Sequence, residues 1–310
     1  MVEVAAAADN YLGMRIDFAN PPGEPALLPP DSVQWRIYKN QIALGVGGVA
    51  AVLLEFAEPR IRSGVWDHST YKADPIGRSR RTGVVAMLAC YGPASTAREV
   101  IGMVNRMHGK VKGQTPAGEP YRAMDPVLLD WVAATASYGF LMAYDRFVSP
   151  VSETDKDRFM RDGDAIGRQF GARTTPQSVA GFMAMMDDLA PRFEPHPIIH
   201  EFLGIIESGK AAPSVPKFLH RALARAAVSL LPAWLQERLE LDGKYRLGTL
   251  DRIALRAAGR LADRRGLAGS APCAASVRLG LPADFLYRSK TEQDRLLRQA
   301  GINTGLSPAL

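Results

Sequence analysis

Asp125-Pro-Val-Leu-Leu-Asp-Trp-Val-Ala-Ala-Thr-Ala-Ser-Tyr-Gly-Phe-Leu-Met-Ala-Tyr-Asp-Arg-Phe147 is the stretch that decides the fold. Aspartate followed by proline is an N-cap with the first helical position already filled. Behind it, Leu128 to Phe147 is long, apolar and aromatic until Ser149-Pro150 breaks it. A helix apolar on most sides belongs at the centre of a domain.

Helical signals dominate on both sides of it. One helix opens after Asp31-Ser32 and continues in some form through Ala57, ahead of Pro59. Thr96-Ala-Arg-Glu99 has capping-box spacing, and Val100, Met103, Val104, Met107 and Val111 follow with helical period up to Gly113. Ser152-Glu-Thr-Asp155 starts an amphipathic helix bearing Phe159, Ile166 and Phe170, closed by Gly171. Thr175-Pro176 starts another with Val179, Phe182, Met183, Met186 and Leu189, whose methionines read as core filler. Further helices are expected around 197–207, 216–229, 232–240, 248–263 and 283–300. Alternating patterns are scarce, and Gly109–Tyr121 is the candidate for a short ribbon. The expectation is a mainly α protein: a single helical domain over 31–270, an irregular segment 1–30 and a C-terminal extension 271–310.

The chain has 310 residues, 47% hydrophobic and 23% charged, enough for a sizeable core. A net charge of +6 is mild for a nucleic-acid binder, and no recognition module accompanies it. Arg252, Arg256, Arg260 and Arg264 recur every four residues, which reads most simply as a solvated helix face. Cys90 and Cys273 read as inert core thiols of a reducing compartment. The N-terminus lacks a basic start followed by an apolar run, so no targeting segment is expected and the cytoplasm is the expected location. The uncharged run Ile42–Leu54 is short of the roughly 20 residues a membrane span needs. Peripheral membrane contact through other surfaces stays open.

Several motifs are decoys. Gly45-Val-Gly-Gly-Val-Ala50 fits a dinucleotide fingerprint, but no βαβ unit surrounds it, so close helix packing is the better reading. His196 and His200 have the spacing of helical metal ligands, yet prolines flank His196 and no clear third ligand lies nearby. No Gly-x-Ser-x-Gly elbow occurs, and Cys90 has no local activating partner.

The chemistry concentrates in Gly64-Val-Trp-Asp-His-Ser69 and Asp74-Pro-Ile-Gly-Arg-Ser-Arg-Arg-Thr82. Charged groups between two apolar segments read as partly buried, and buried charge persists when paired or bound to a ligand. The stretch is either the lining of a pocket for something large, apolar and anionic, or an ion-paired loop stapling two helices. His108 lies on an apolar helical face, with Val104 and Val111 as i−4 and i+3 neighbours. Such an imidazole is a hydrogen-bonded core histidine or a haem ligand, which binds iron through neutral nitrogen in a dry cavity.

Ala57-Glu-Pro-Arg-Ile-Arg-Ser-Gly-Val-Trp-Asp-His-Ser69, the Asp74–Thr82 stretch, His108-Gly-Lys-Val-Lys-Gly113, Tyr121-Arg-Ala-Met-Asp-Pro126 and Leu129-Asp-Trp-Val132 together resemble the mpaB/rubber-oxygenase catalytic domain family. Tyr144–Pro150 and the 156–171 helix continue the likeness, which covers about residues 35–240. The resemblance implies an all-helical domain with b-type haem. Latex-clearing proteins and the fungal mpaB oxygenase cleave carbon–carbon double bonds of isoprenoid chains with dioxygen. It therefore implies a haem-dependent oxygenase acting with dioxygen on a small hydrophobic substrate of isoprenoid kind. It makes His108 the proximal iron ligand, with His68 the rival. It sets Arg78 and Thr82 near the haem, and makes Asp67 and His68 orienting groups. Arg81 falls where latex-clearing proteins carry a distal lysine; an arginine stays protonated, so it pairs with a propionate or steers oxygen. Two departures stand out: Glu58 and Ala133 occupy positions where many relatives have histidine. Glu58 is a base or a salt-bridge partner of Arg60 or Arg62. The departures keep two other readings open: a haem protein without oxygenase activity, and a structural helical protein whose arginines form ion pairs.

Overall fold

The computed structural model describes residues 10–71, 73–210 and 217–302. They form fourteen α-helices and two two-stranded antiparallel ribbons, the mainly α class expected. The ribbons are β1 (Asn10–Tyr11) with β2 (Met14–Arg15), and β3 (Lys112–Gln114) with β4 (Pro120–Arg122). The second falls on the stretch read as a ribbon, Gly109–Tyr121, and runs one residue past it to Arg122.

The helix expected from Ser32 to Ala57 is two helices, α1 (Val33–Tyr38) and α2 (Gln41–Ala57). Ser32 caps α1 through the Trp35 amide. Asn40 interrupts the run because its side chain is engaged twice: it accepts from the Ala43 amide and donates to the carbonyl of Gly259 at 2.9 Å. At Glu58 the chain turns by 113° into α3 (Pro59–His68). Then comes α4 (Pro75–Tyr91), capped by Asp74. The charged stretch 64–82 is thus not a loop: most of it is the end of one helix and the start of the next.

The next helix, α5, runs Ala94–His108, not from Thr96 to Gly113. The Thr96–Glu99 box does not cap it. Glu24, from the N-terminal segment, accepts from the Ser95 amide at 2.7 Å and does that job at long range. Helix α6 (Pro126–Phe147) is the central helix, with Trp131, Leu141, Ala143 and Phe147 buried. By length and composition it is the one described helix apolar enough to cross a membrane, but most of its surface is covered by the rest of the molecule.

Helices α2 and α6 cross at glycine on glycine. A Cβ on Gly47 would fall 2.6 Å from the carbonyl oxygen of Gly139, so only hydrogen fits there. That is the role of the glycine run in α2, as its sequence context suggested. Around this pair lie α7 (Glu153–Gln169), α8 (Val179–Leu189), α9 (Pro197–Glu207), α10 (Lys217–Val228), α11 (Ala233–Arg238) and α12 (Thr249–Arg264). Helix α8 starts at Ser178, which accepts from the Gly181 amide, and not at Thr175-Pro176.

A second core joins the two ends of the chain. Tyr11, Ile16 and Phe18 pack with Trp35, Val84, Tyr91, Ala275, Phe285 and Leu297. Its C-terminal part comes from α13 (Ala271–Arg278), a short turn of helix at Phe285–Tyr287, and α14 (Lys290–Gln299). The buried Arg278 donates to the carbonyls of Phe18, Glu24 and Tyr91. Cys90 and Cys273 are buried thiols, as expected.

Candidate functional site

Arg78, one turn into α4, is the hub of the site. Its Nε donates to Ser69 Oγ at 3.1 Å, its Nη1 donates to Thr82 Oγ1, and its guanidinium carbon lies 5.5 Å from the centre of the Tyr71 ring. Its charge acts on four groups from separate elements: Tyr11, Glu55, Tyr71 and His108. Of the Asp67-His68-Ser69 motif, the serine is what reaches Arg78.

His108 ends α5 and is half-buried. Burial, and then the positive charge of Arg78, hold its imidazole below the usual 6.5. Its Nδ1 is buried and has no hydrogen-bond partner. A buried polar atom without a partner is costly, and functional sites are where such atoms are kept.

Glu55 is the residue the sequence reading passed over. It is the sole charged side chain of α2, one position beyond the uncharged run. Burial pushes its carboxyl up to about 7, against the opposing pull of Arg78 and a 3.3 Å hydrogen bond from Thr135 Oγ1 on α6. It is deeply desolvated, though its side chain keeps some accessible surface. Tyr71 is likewise raised by burial and lies within reach of both Arg78 and Glu55.

The remaining expected residues behave differently. Asp67 and His68 are exposed, contrary to the expectation of partial burial. They sit in the last turn of α3, where charged groups reach water, and turn toward the β3–β4 ribbon. His68 Nε2 lies 3.2 Å from the Tyr121 hydroxyl, which donates to Asp67 at 3.5 Å. Arg81 donates to Thr70 at 2.8 Å and pairs with Asp74 at 3.4 Å, fastening the 69–74 connection. Thr82 and Gly83 are exposed in the middle of α4, and a Cβ on Gly83 would meet nothing within 4 Å. Half of the charged stretch is therefore an ion-paired staple, and half converges on Arg78.

Glu58 is a salt-bridge residue. Buried at 1% exposure, it accepts from the Ile61 amide and from Arg60 at 2.7 Å and Arg192 at 2.9 Å. Arg62 turns instead to Glu194 and the Phe56 carbonyl. Ala133 lies in the α6–α7 seam, where a Cβ on Gly167 would come within 3.2 Å of it. His196 caps α9 by accepting from the Ile198 amide, and His200 stacks on Tyr245. Among the described residues no group of three or more His, Cys, Asp or Glu side chains forms a metal-binding cluster.

The site thus brings together a half-buried imidazole whose proton affinity is lowered and whose Nδ1 has no partner among the described residues, the charge of Arg78 acting on it, and an exposed Gly83 on α4 with open space before it.

Over residues 35–264 the sequence matches the family described as ER-bound oxygenase mpaB/B'/Rubber oxygenase, catalytic domain. The chain belongs to this family, whose domain is an oxygenase catalytic domain. Similar curated proteins include the uncharacterized protein Mb2261 of Mycobacterium bovis and the uncharacterized protein Rv2237 of Mycobacterium tuberculosis. Each is 28% identical over 123 residues, covering 38% of this chain and 48% of the relative. The chain thus spans about half the length of the curated relatives it matches. No solved structure shows a significant match.

Proposed function

We propose that this protein is a haem b-dependent oxygenase that uses dioxygen on a hydrophobic substrate of isoprenoid kind. The observation that carries the reading is the orphaned Nδ1 of His108, in an imidazole whose proton affinity is lowered by burial and by Arg78. When bound, the haem supplies an iron centre for dioxygen chemistry, while the protein supplies position and field.

His108 would hold the haem iron in this reading. Protonation would abolish its donor capacity, and both causes of its lowered pKa oppose protonation. Arg78 holds that bias and offers a cation to a haem carboxylate. Glu55, poised at about 7, can hold or release a proton at its carboxyl near neutral pH. The family supports oxygenase chemistry.

A haem protein without oxygenase activity is the second reading. It is favoured by Glu58, whose carboxylate is fully engaged by Arg60 and Arg192. The test is the ultraviolet–visible spectrum of protein expressed with haem, as isolated and after dithionite, beside His108→Ala. A Soret band lost in the variant supports the reading. A band that survives transfers the ligand to His68, and a colourless wild-type protein overturns haem binding. Oxygen uptake with isoprenoid chains then separates the oxygenase from the non-catalytic haem protein.

A further inference from the structure

Helix α12 is amphipathic twice over. Its inward side is fixed: Leu255 is buried, and Gly259 lies against the carbonyl of Phe147, where no Cβ would fit. Its outward side carries Arg252, Arg256, Arg260 and Arg264, all exposed, and large apolar side chains that a solvated helix would not place in water. Leu250 is 81% exposed, Ile253 59% and Leu261 64%, with Leu267 just beyond the helix at 69%. At about 100° per residue, the arginines step round the outward arc, Leu250 and Leu261 lie together beyond its Arg264 edge, and Ile253 lies among the arginines between Arg260 and Arg264.

The charge on this face has no counterpart within the helix. Its two carboxylates are both used elsewhere: Asp251 pairs with Arg225 at 3.1 Å, and Asp263 takes Lys39, Asn40 and the Tyr144 hydroxyl. Beside its first turn, a cleft of about 370 Å³ is lined by Arg146, Arg246 and Arg252 against one carboxylate, Asp242.

We propose that this face docks the protein on the headgroup layer of an anionic phospholipid membrane. Leucine and isoleucine enter the acyl boundary, the arginine stripe lies along the phosphates, and the three-arginine cleft takes a headgroup phosphate. Interfacial helices combine an apolar strip with flanking cations in this way. A nucleic acid would use the arginines and gain nothing from Leu250, Ile253 and Leu261. A second copy of this chain would bring arginine against arginine.

The test is co-sedimentation of the full chain with vesicles of phosphatidylcholine containing about a third phosphatidylglycerol, beside vesicles of phosphatidylcholine alone. Binding to the anionic vesicles, weakened by salt, is expected. Arg260→Gln with Arg264→Gln should lower the partition about thirtyfold. Leu250→Ser with Ile253→Ser should lower it further while leaving the salt dependence in place. All four positions are exposed, and unchanged thermal melts confirm the fold of each variant. No binding to anionic vesicles at low salt overturns the proposal, as does equal binding to neutral ones. So does a partition unmoved by either double variant. Dimerisation lost in the leucine variant, or tighter retention on an oligonucleotide than on vesicles, overturns it in favour of that occupant. The readout does not depend on haem, so its failure is separable from failure of the oxygenase reading.

Discussion

Glu55 and His108 titrate in opposite senses, which makes their roles measurable. The carboxyl of Glu55 rises from 4.5 to about 7 on folding, so the folded state holds that proton more tightly. Its contribution to stability is fully present below pH 4.5 and is lost as pH rises to about 7. Glu55→Gln should therefore melt a few °C above the wild type at pH 8, the gap closing toward pH 4 in a series of thermal melts. His108 is depressed, so its contribution is present above pH 6.5 and is lost as pH falls through its lower folded value. His108→Gln should flatten the loss of stability as pH falls below 6.5 in the same series. His108 and Arg78 stood out in the sequence, one from its place on a periodic apolar face and the other from its charged stretch and the family likeness. Glu55 did not, because a single acid at the end of an apolar run looks like the end of the run. Of the partners of Glu58, Arg60 was legible as a near neighbour, but Arg192 was hidden, since it lies far along the chain and no local pattern joins them.

Among the elements, two glycines that look alike in sequence have opposite meanings. Gly47→Ala would gain helix propensity, but its Cβ would strike the backbone of α6 and force the central pair apart. The clash wins, and a loss of about 1–3 kcal/mol is expected in urea unfolding. Gly83→Ala meets open space in the middle of α4 and should stabilise the haem-free protein by up to about 1 kcal/mol. The same change should weaken haem retention if that face lines the pocket. Most elements were readable from proline and N-cap signals: Asp125-Pro126, Ser152 and Pro197 all start helices where expected. Asp74-Pro75 carries the same signal as Asp125-Pro126, but the charges after it read as a loop or pocket lining and masked the helix. The Thr96 box failed for the converse reason: a long-range carboxylate, Glu24, took the capping role.

For the whole molecule, the expected division into an N-terminal segment, a helical domain and an extension follows the prolines at 29–30 and the extent of the family likeness, and one core packs residues of all three together. Arg278 is buried among carbonyls from three separate segments, and burial lowers its guanidinium to about 10. Arg278→Ala should cost about 3–5 kcal/mol, because three buried carbonyls lose their donor together. Limited proteolysis of that variant should release fragments from both termini, whereas the wild type should resist at both. Seen as polymer physics, the side chain of Arg278 is a crosslink that turns a linear chain into a near-closed ring. The entropy lost on closing a loop grows only with the logarithm of its length, so bringing the distant ends together costs little more than closing a much shorter loop. The ring passes through Tyr91 and, through Glu24, the start of α5, the corner joining the two helices whose far ends carry Arg78 and His108. Opening the ends is therefore expected to be felt at that corner.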